Sequence, residues 1–132
     1  MVDILMAVYN GEKFVAEQID SILAQSETDW HLIICDDMSK DRSFEIISGY
    51  AQKYPDKISA HKTAVPTGSA QANFMSMLQY AQSEYVMFSD QDDFWEKDKV
   101  KLTLAKMKEL EAKNGNIPLL VHTELAIADG EL

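Results

Sequence analysis

The feature that most constrains this chain is an alternation between two hydrophobic patterns. Short apolar runs alternate with longer stretches whose apolar residues recur at intervals of three and four. Ile4 to Val8 is the first such run, closed by the turn signal Tyr9-Asn10-Gly11. From about Lys13 to Gln25, Val15, Ile19, Ile22 and Leu23 share one helical face, with Glu12, Glu17 and Asp20 on others. His31 to Cys35 is a second run, stopped by Asp36-Asp37. Ser39 or Asp41 can cap a second helix in which Ile46, Ile47 and Tyr50 share a face, with Pro55 just beyond its end. Ile58 to His61 reads as a short third strand. A loop containing Pro66 and Gly68 leads into a third helix with Phe74, Met77, Leu78 and Ala81 on one side. Tyr85 to Phe88 is a fourth strand. A fourth helix turns Val100, Leu104, Met107 and Leu110 inward and ends at Asn114-Gly115 as a C-cap does. Leu119 to Val121 is a fifth apolar run.

Strand followed by helix, four times over, predicts an α/β fold with a mostly parallel sheet. The strands are apolar throughout rather than alternating, as expected when helices cover both faces. The expectation is a three-layer α/β/α sandwich forming one domain over residues 1–132. The sequence contains no linker, repeat or low-complexity tract.

Composition narrows the function. Apolar residues make up 46% and charged residues 26%, which excludes a disordered tail. Twelve basic residues against 22 acidic ones give a net charge of −10. A surface of that sign repels phosphate backbones and argues against nucleic acid as a partner. A phosphorylated ligand remains possible where a divalent cation bridges the two negative partners. Cys35 is the single cysteine, which excludes an internal disulfide framework and favours a reducing compartment. The opening residues lack the basic segment of a signal peptide, and no apolar run approaches the roughly 18 residues of a membrane span. A cytoplasmic location is expected, with no membrane span in this segment.

In open parallel sheets, ligands bind beyond the carboxyl ends of the strands. Those ends are where the polar residues collect. Tyr9, Asn10, Gly11 and Glu12 follow the first strand, and Asp36, Asp37, Ser39 and Asp41 the second. Thr67-Gly68-Ser69 closes the loop after the third, and Asp90-Gln91-Asp92-Asp93 follows the fourth. Three carboxylates in four residues repel one another unless a cation sits among them. Hard ions such as Mg²⁺ or Mn²⁺ take oxygen ligands and keep positions open for phosphates. The alternative is a solvated acidic turn that caps the next helix. Asp36-Asp37 is open in the same way: it can accept from a base imide N–H or ribose hydroxyls, or form an Asx-turn. Tyr9 can stack on a base or simply pack, and Thr67-Gly68-Ser69 can approach phosphate or merely turn. His31, His61 and His122 lack metal-ligand spacing and read as structural. Cys35 reads as a small buried apolar residue. The sequence has no Gly-x-Gly-x-x-Gly, Walker-type loop or Gly-x-Ser-x-Gly elbow.

With those motifs in place, the chain resembles the N-terminal, nucleotide-sugar-binding portion of a family 2 glycosyltransferase of the GT-A fold, similar to bacterial rhamnosyltransferase-like members. Four segments match in order. They are Ile4 to Gly11 with its Tyr-Asn turn, Asp36-Asp37-Met38-Ser39-Lys40-Asp41, Thr67-Gly68 to Asn73, and Tyr85 to Trp95 with Asp-Gln-Asp-Asp-Phe-Trp. Pro66 stands where the family's loop carries Asn. The resemblance implies that Ala7, Tyr9, Asp36, Asp37, Asp90 and Gln91 bind the nucleotide sugar. Tyr9 and Asp37 would contact uracil or thymine, with Asp36 supporting them. Asp90 and Asp92 would form the Asp-x-Asp motif, with Asp92 and Asp93 holding Mg²⁺ or Mn²⁺.

The implied donor is a uridine or deoxythymidine diphosphate sugar, and the implied acceptor a saccharide or lipid-linked saccharide. The implied reaction is an inverting transfer in cell-surface polysaccharide synthesis. Family members carry the catalytic base well beyond the metal motif, so the base is expected beyond Leu132 and the chain is expected to be a truncated portion, weakly active or inactive alone. Glu124 is not assigned as the base. Two rivals differ in class. A phosphotransferase of the haloacid dehalogenase type would use Asp90 as nucleophile and Asp92 as acid, but needs its Asp-x-Asp after the first strand. A receiver-type signalling domain needs its acidic pair there too.

Overall fold

The structure, a computed structural model, describes residues 1–90 and 94–114. Its elements run β1 (Val2–Val8), α1 (Val15–Leu23), β2 (Trp30–Asp36), α2 (Ser43–Lys53), β3 (Ile58–Lys62), α3 (Ala70–Met77), β4 (Tyr85–Asp90) and α4 (Lys99–Asn114). A 3-10 turn at Leu78–Tyr80 follows α3. Among the described residues the strands form one sheet in the order β3-β2-β1-β4, every neighbouring pair parallel. The expected α/β/α layering is present. Gly115, Leu119 to Val121, His122 and Glu124 lie outside the described residues.

All seven residues of β1 are buried, which is the physical content of the apolar run Ile4 to Val8 within it. Successive side chains point to opposite faces, so one strand feeds two cores. On one face Ile4, Met6 and Val8 meet Leu32, Ile34, Ile58 and Met87 beneath Val15, Ile19 and Ile22 of α1. Ile47 of α2, Trp95, and Val100 and Leu104 of α4 complete that layer. On the other face Leu5, Ala7, Ile33 and Cys35 pack under Met77, with Phe74 and Val86 at the margin. A buried Ile or Leu contributes roughly 1.5–3 kcal/mol, so the first layer carries most of the stability.

Several boundaries shift by a few residues from the sequence pattern, and three of the shifts have a clear local reason. β1 starts at Val2 and so includes Asp3, almost fully buried, whose Oδ2 accepts from the backbone N–H of Gln82 (2.6 Å) and Ser83 (2.8 Å). Helix α2 starts at Ser43, and the residue before it, Arg42, makes no side-chain cap. Asp41 accepts the Ser43 N–H instead (2.9 Å), while Ser39 is used elsewhere. Helix α3 stops at Met77, short of Ala81, and leaves Leu78 exposed. There Tyr80 stacks on His61 (centroids 4.2 Å apart), and Asp3 draws the next residues toward β4. His31 sits beside Asp3, Nδ1 to Oδ1 3.9 Å. Both described histidines are thus engaged structurally. No helix among the described residues is long and apolar enough to cross a membrane.

Candidate functional site

The chain passes from β1 outward to β2 and β3, then returns to place β4 on the other side of β1. That reversal puts the topological switch point between β1 and β4, beyond whose carboxyl ends ligands of open α/β sheets bind. Register fixes what borders it. Ala7 pairs with Asp90 of β4 on one side and with Cys35 of β2 on the other, and Val8 pairs with Asp36. Ala7, Asp36, Asp37 and the backbone of Asp90 therefore gather at adjoining strand ends, with Tyr9 half exposed just beyond β1. Gln91, Asp92 and Asp93 lie outside the described residues. Among the described residues no three His, Cys, Asp or Glu side chains cluster to hold a metal ion.

The loops after β1 and β2 are stitched together. Asp36, with no exposed surface, accepts from the Ser39 N–H (2.9 Å) and from the Ser39 hydroxyl. Ser39 Oγ in turn accepts the Asn10 N–H (2.8 Å), and Asn10 Oδ1 accepts the Lys40 N–H (2.8 Å). The Gly11 N–H donates to Ser43 Oγ (2.8 Å), whose proton goes to Asp41 Oδ1 (2.5 Å). Burial opposes ionisation of Asp41, but bonds from Ser43 and the Glu12 N–H outweigh it and hold its pKa below the ordinary value. Asp36 and Asp41 brace the two loops at these strand ends. Each of the two loops carries a left-handed residue, Asn10 (φ 48°) after β1 and Met38 (φ 57°) after β2.

Asp37 faces the other way, toward the loop after β3. Its Oδ1 accepts from the Thr67 N–H (2.7 Å) and Thr63 hydroxyl (3.0 Å), and its Oδ2 from the Thr67 hydroxyl (2.6 Å). Burial pushes the Asp37 carboxyl up, yet the threonine bonds together leave it below its ordinary pKa, ionised at neutral pH. The Thr67-Gly68-Ser69 triplet is thus a carboxylate holder and a helix start: Ser69 Oγ accepts the Ala72 N–H (3.0 Å) to cap α3. Cys35 is buried, and burial with the charges of Asp36 and Asp37 pushes its thiol up to about 11.

A second feature escaped the periodicity argument. Gln18 and Ser21 of α1, and Gln25 just beyond its end, are buried although polar. Gln18 Nε2 donates to Ser89 Oγ (2.6 Å) of β4, and Ser21 Oγ accepts the Trp95 N–H (3.2 Å). Gln25 donates to the Glu96 carbonyl (2.6 Å) and accepts the Val100 N–H (2.9 Å), holding the start of α4 from the segment just after α1. The stripe clamps the chain on both sides of the Asp90–Asp93 segment. Its signal in the sequence is polar residues spaced i, i+3 and i+7 within an apolar face.

The family model described as "Glycosyl transferase family 2" matches residues 3–116, most of the chain. The chain belongs to glycosyltransferase family 2. It is 38% identical over 99 residues to the dTDP-rhamnosyl transferase RfbG of Shigella flexneri, covering 73% of this chain and 34% of that protein. A crystal structure of S. aureus TarS superposes with a TM-score of 0.71 at 25% identity, covering 82% of this chain and 32% of that one. The mannosyltransferase PcManGT of Pyrobaculum calidifontis, solved with GDP-Man and Mn²⁺, shares the fold at a TM-score of 0.69 and 24% identity, over 84% of this chain and 32% of that one. The chain thus spans about a third of the length of these relatives. As a GT-A fold it has its acidic pair after β2, which neither the phosphotransferase nor the receiver arrangement provides.

Proposed function

We propose that this chain is the donor-binding unit of an inverting glycosyltransferase that uses a uridine or deoxythymidine diphosphate sugar. The register that sets Ala7 between β2, which leads into Asp36-Asp37, and Asp90 of β4, at the switch point of a family 2 sheet, carries this reading. Asp37 is the acceptor for the base imide N–H, Tyr9 the surface against which the base stacks, and Ala7 the strand-end contact. Asp36 holds the loop that presents them. Asp90 and Gln91 are assigned to the ribose and diphosphate.

The acidic segment offers oxygen donors only, which suits Mg²⁺ or Mn²⁺, with Asp92 and Asp93 as the ligands. When bound, the cation neutralises charge on the departing nucleotide diphosphate. It also resolves the conflict between a −10 chain and a doubly phosphorylated ligand. The acceptor is a saccharide or lipid-linked saccharide, and the reaction belongs to cell-surface polysaccharide synthesis in the cytoplasm. No residue of this chain is assigned as the base that deprotonates the acceptor hydroxyl.

Calorimetric titration of the 132-residue chain with UDP and dTDP, with and without Mn²⁺, tests the reading. Metal-dependent binding of at least one nucleotide is expected, and binding of neither sinks it.

A further inference from the structure

We infer that Thr67, assisted by Thr63, is the positioning residue that sets which nucleobase this site accepts, by leaving Asp37 a single open lone pair on Oδ2 directed to a base N–H. The inference rests on the nucleotide-donor reading above and adds to it the residues that make Asp37 selective.

An ionised carboxylate accepts about four hydrogen bonds and donates none. Asp37 has three filled from one loop: two at Oδ1, from the Thr67 N–H and Thr63 hydroxyl, and one at Oδ2, from the Thr67 hydroxyl. Its main chain is held as well, because the Asp37 N–H donates to the Val8 carbonyl (2.8 Å) at the end of β1. With 7% of its surface open, Asp37 can meet the edge of a planar ring and little else. The Thr67 hydroxyl has one proton and two acceptors in reach, Asp37 Oδ2 at 2.6 Å and the Ser69 carbonyl at 3.1 Å. The shorter, charged partner takes it. The loop is bent for this purpose. Pro66 fixes the backbone before Thr67, Gly68 turns left-handed after it (φ 89°), and Ser69 anchors the far end as the α3 cap.

A carboxylate that can only accept selects bases by what they present at ring position 3. Uracil and thymine present an N–H there, whereas cytosine presents a lone pair and is repelled. If Thr67 loses its hydroxyl, Oδ2 gains rotational freedom and a second open lone pair, and this selection weakens.

The test uses the full chain with Mn²⁺ and compares UDP with CDP for the wild type, Thr67→Val, Thr67→Ser and Thr63→Val. Thr67→Val keeps the side-chain shape and the backbone N–H but removes the hydroxyl. It should lose about tenfold in UDP affinity, and the UDP-to-CDP ratio should fall by a similar factor. Thr67→Ser should restore both, and Thr63→Val should cost about threefold. If Thr67→Val unfolds, Thr63→Val carries the same comparison through Oδ1. Unchanged affinity and ratio in the folded variants, with only a lowered melting temperature, would make the threonines a structural tie and overturn the inference. A wild type that binds neither UDP nor dTDP fails differently: it removes the donor reading itself, and this inference with it.

Discussion

The two faces of the sheet are built to different standards. One is a deep layer in which three helices and Trp95 cover Ile4, Met6, Val8, Leu32 and Ile34. Among the described residues the other rests on α3 alone, with five buried residues and Phe74 tilted against a Phe88 that is 44% exposed. The Asp37-holding loop leads into α3, on the thin side, and the polar clamp on the acidic segment lies on the thick side. The contrast teaches that stability and site geometry are separable here. The thick layer decides whether the chain folds, and the thin one how firmly Asp37 is held.

Matched truncations on the two faces sharpen that contrast most. Ile34→Ala on the thick side should cost about 4 kcal/mol, because well-packed neighbours cannot collapse into the cavity. Met77→Ala on the thin side, though Met77 is equally buried, should cost about 2 kcal/mol, since α3 can shift. Urea unfolding measures the totals. Amide exchange should show the Met77 variant loosened in α3 and the Ile34 variant weakened throughout. Equal costs would dissolve the distinction.

Gln25→Leu attempts to break it from the other direction. The substitution strands the buried Val100 N–H and removes one of two bonds to the Glu96 carbonyl, which still accepts from the Lys99 N–H, a loss of about 2 kcal/mol. Unlike Ile34→Ala, it should also weaken metal-dependent UDP binding at temperatures where the variant remains folded, because it frees one side of the acidic segment. Calorimetry on the folded variant separates the two effects.

Most of this architecture is legible in the sequence, because unbroken apolar strands and amphipathic helices leave little choice of fold. Asp36 and Asp37 were legible as a pair at a strand end, yet not in their division of labour. Asp36 braces Ser39 whereas Asp37 turns to Thr63 and Thr67, contacts 26 and 30 residues apart that no local pattern encodes. The Gln18-Ser21-Gln25 stripe was missed because an apolar count discards polar residues on a buried face. The early end of α3 depends on the Tyr80–His61 stack, again a long-range contact.

The thin side should also respond to acid. Because the folded-state pKa of Asp37 lies below its unfolded value, the ionised carboxylate stabilises the fold fully above about pH 4. That contribution is lost as pH falls through the lowered folded value. Asp37→Asn should therefore melt below the wild type at pH 7, with the gap closing beneath about pH 4. Thermal melts across pH 3–7 check this, and a gap that widens in acid would reverse the assignment.

The smallest expected effect lies in the turn joining β2 to α2. Met38 holds a left-handed backbone (φ 57°) that costs an L-residue about 1–2 kcal/mol. Glycine removes the strain but gives back about 0.5–1 kcal/mol through the freedom of the unfolded chain. Met38→Gly should thus stabilise the protein by roughly 0.5 kcal/mol in urea unfolding. UDP affinity is the more telling measurement. Ser39 and Asn10 fix this turn from both sides, so affinity should hold if those hydrogen bonds set the site. Weaker binding in a more stable variant would mean that the methionine side chain, next to Asp37, is itself part of the surface that receives the base.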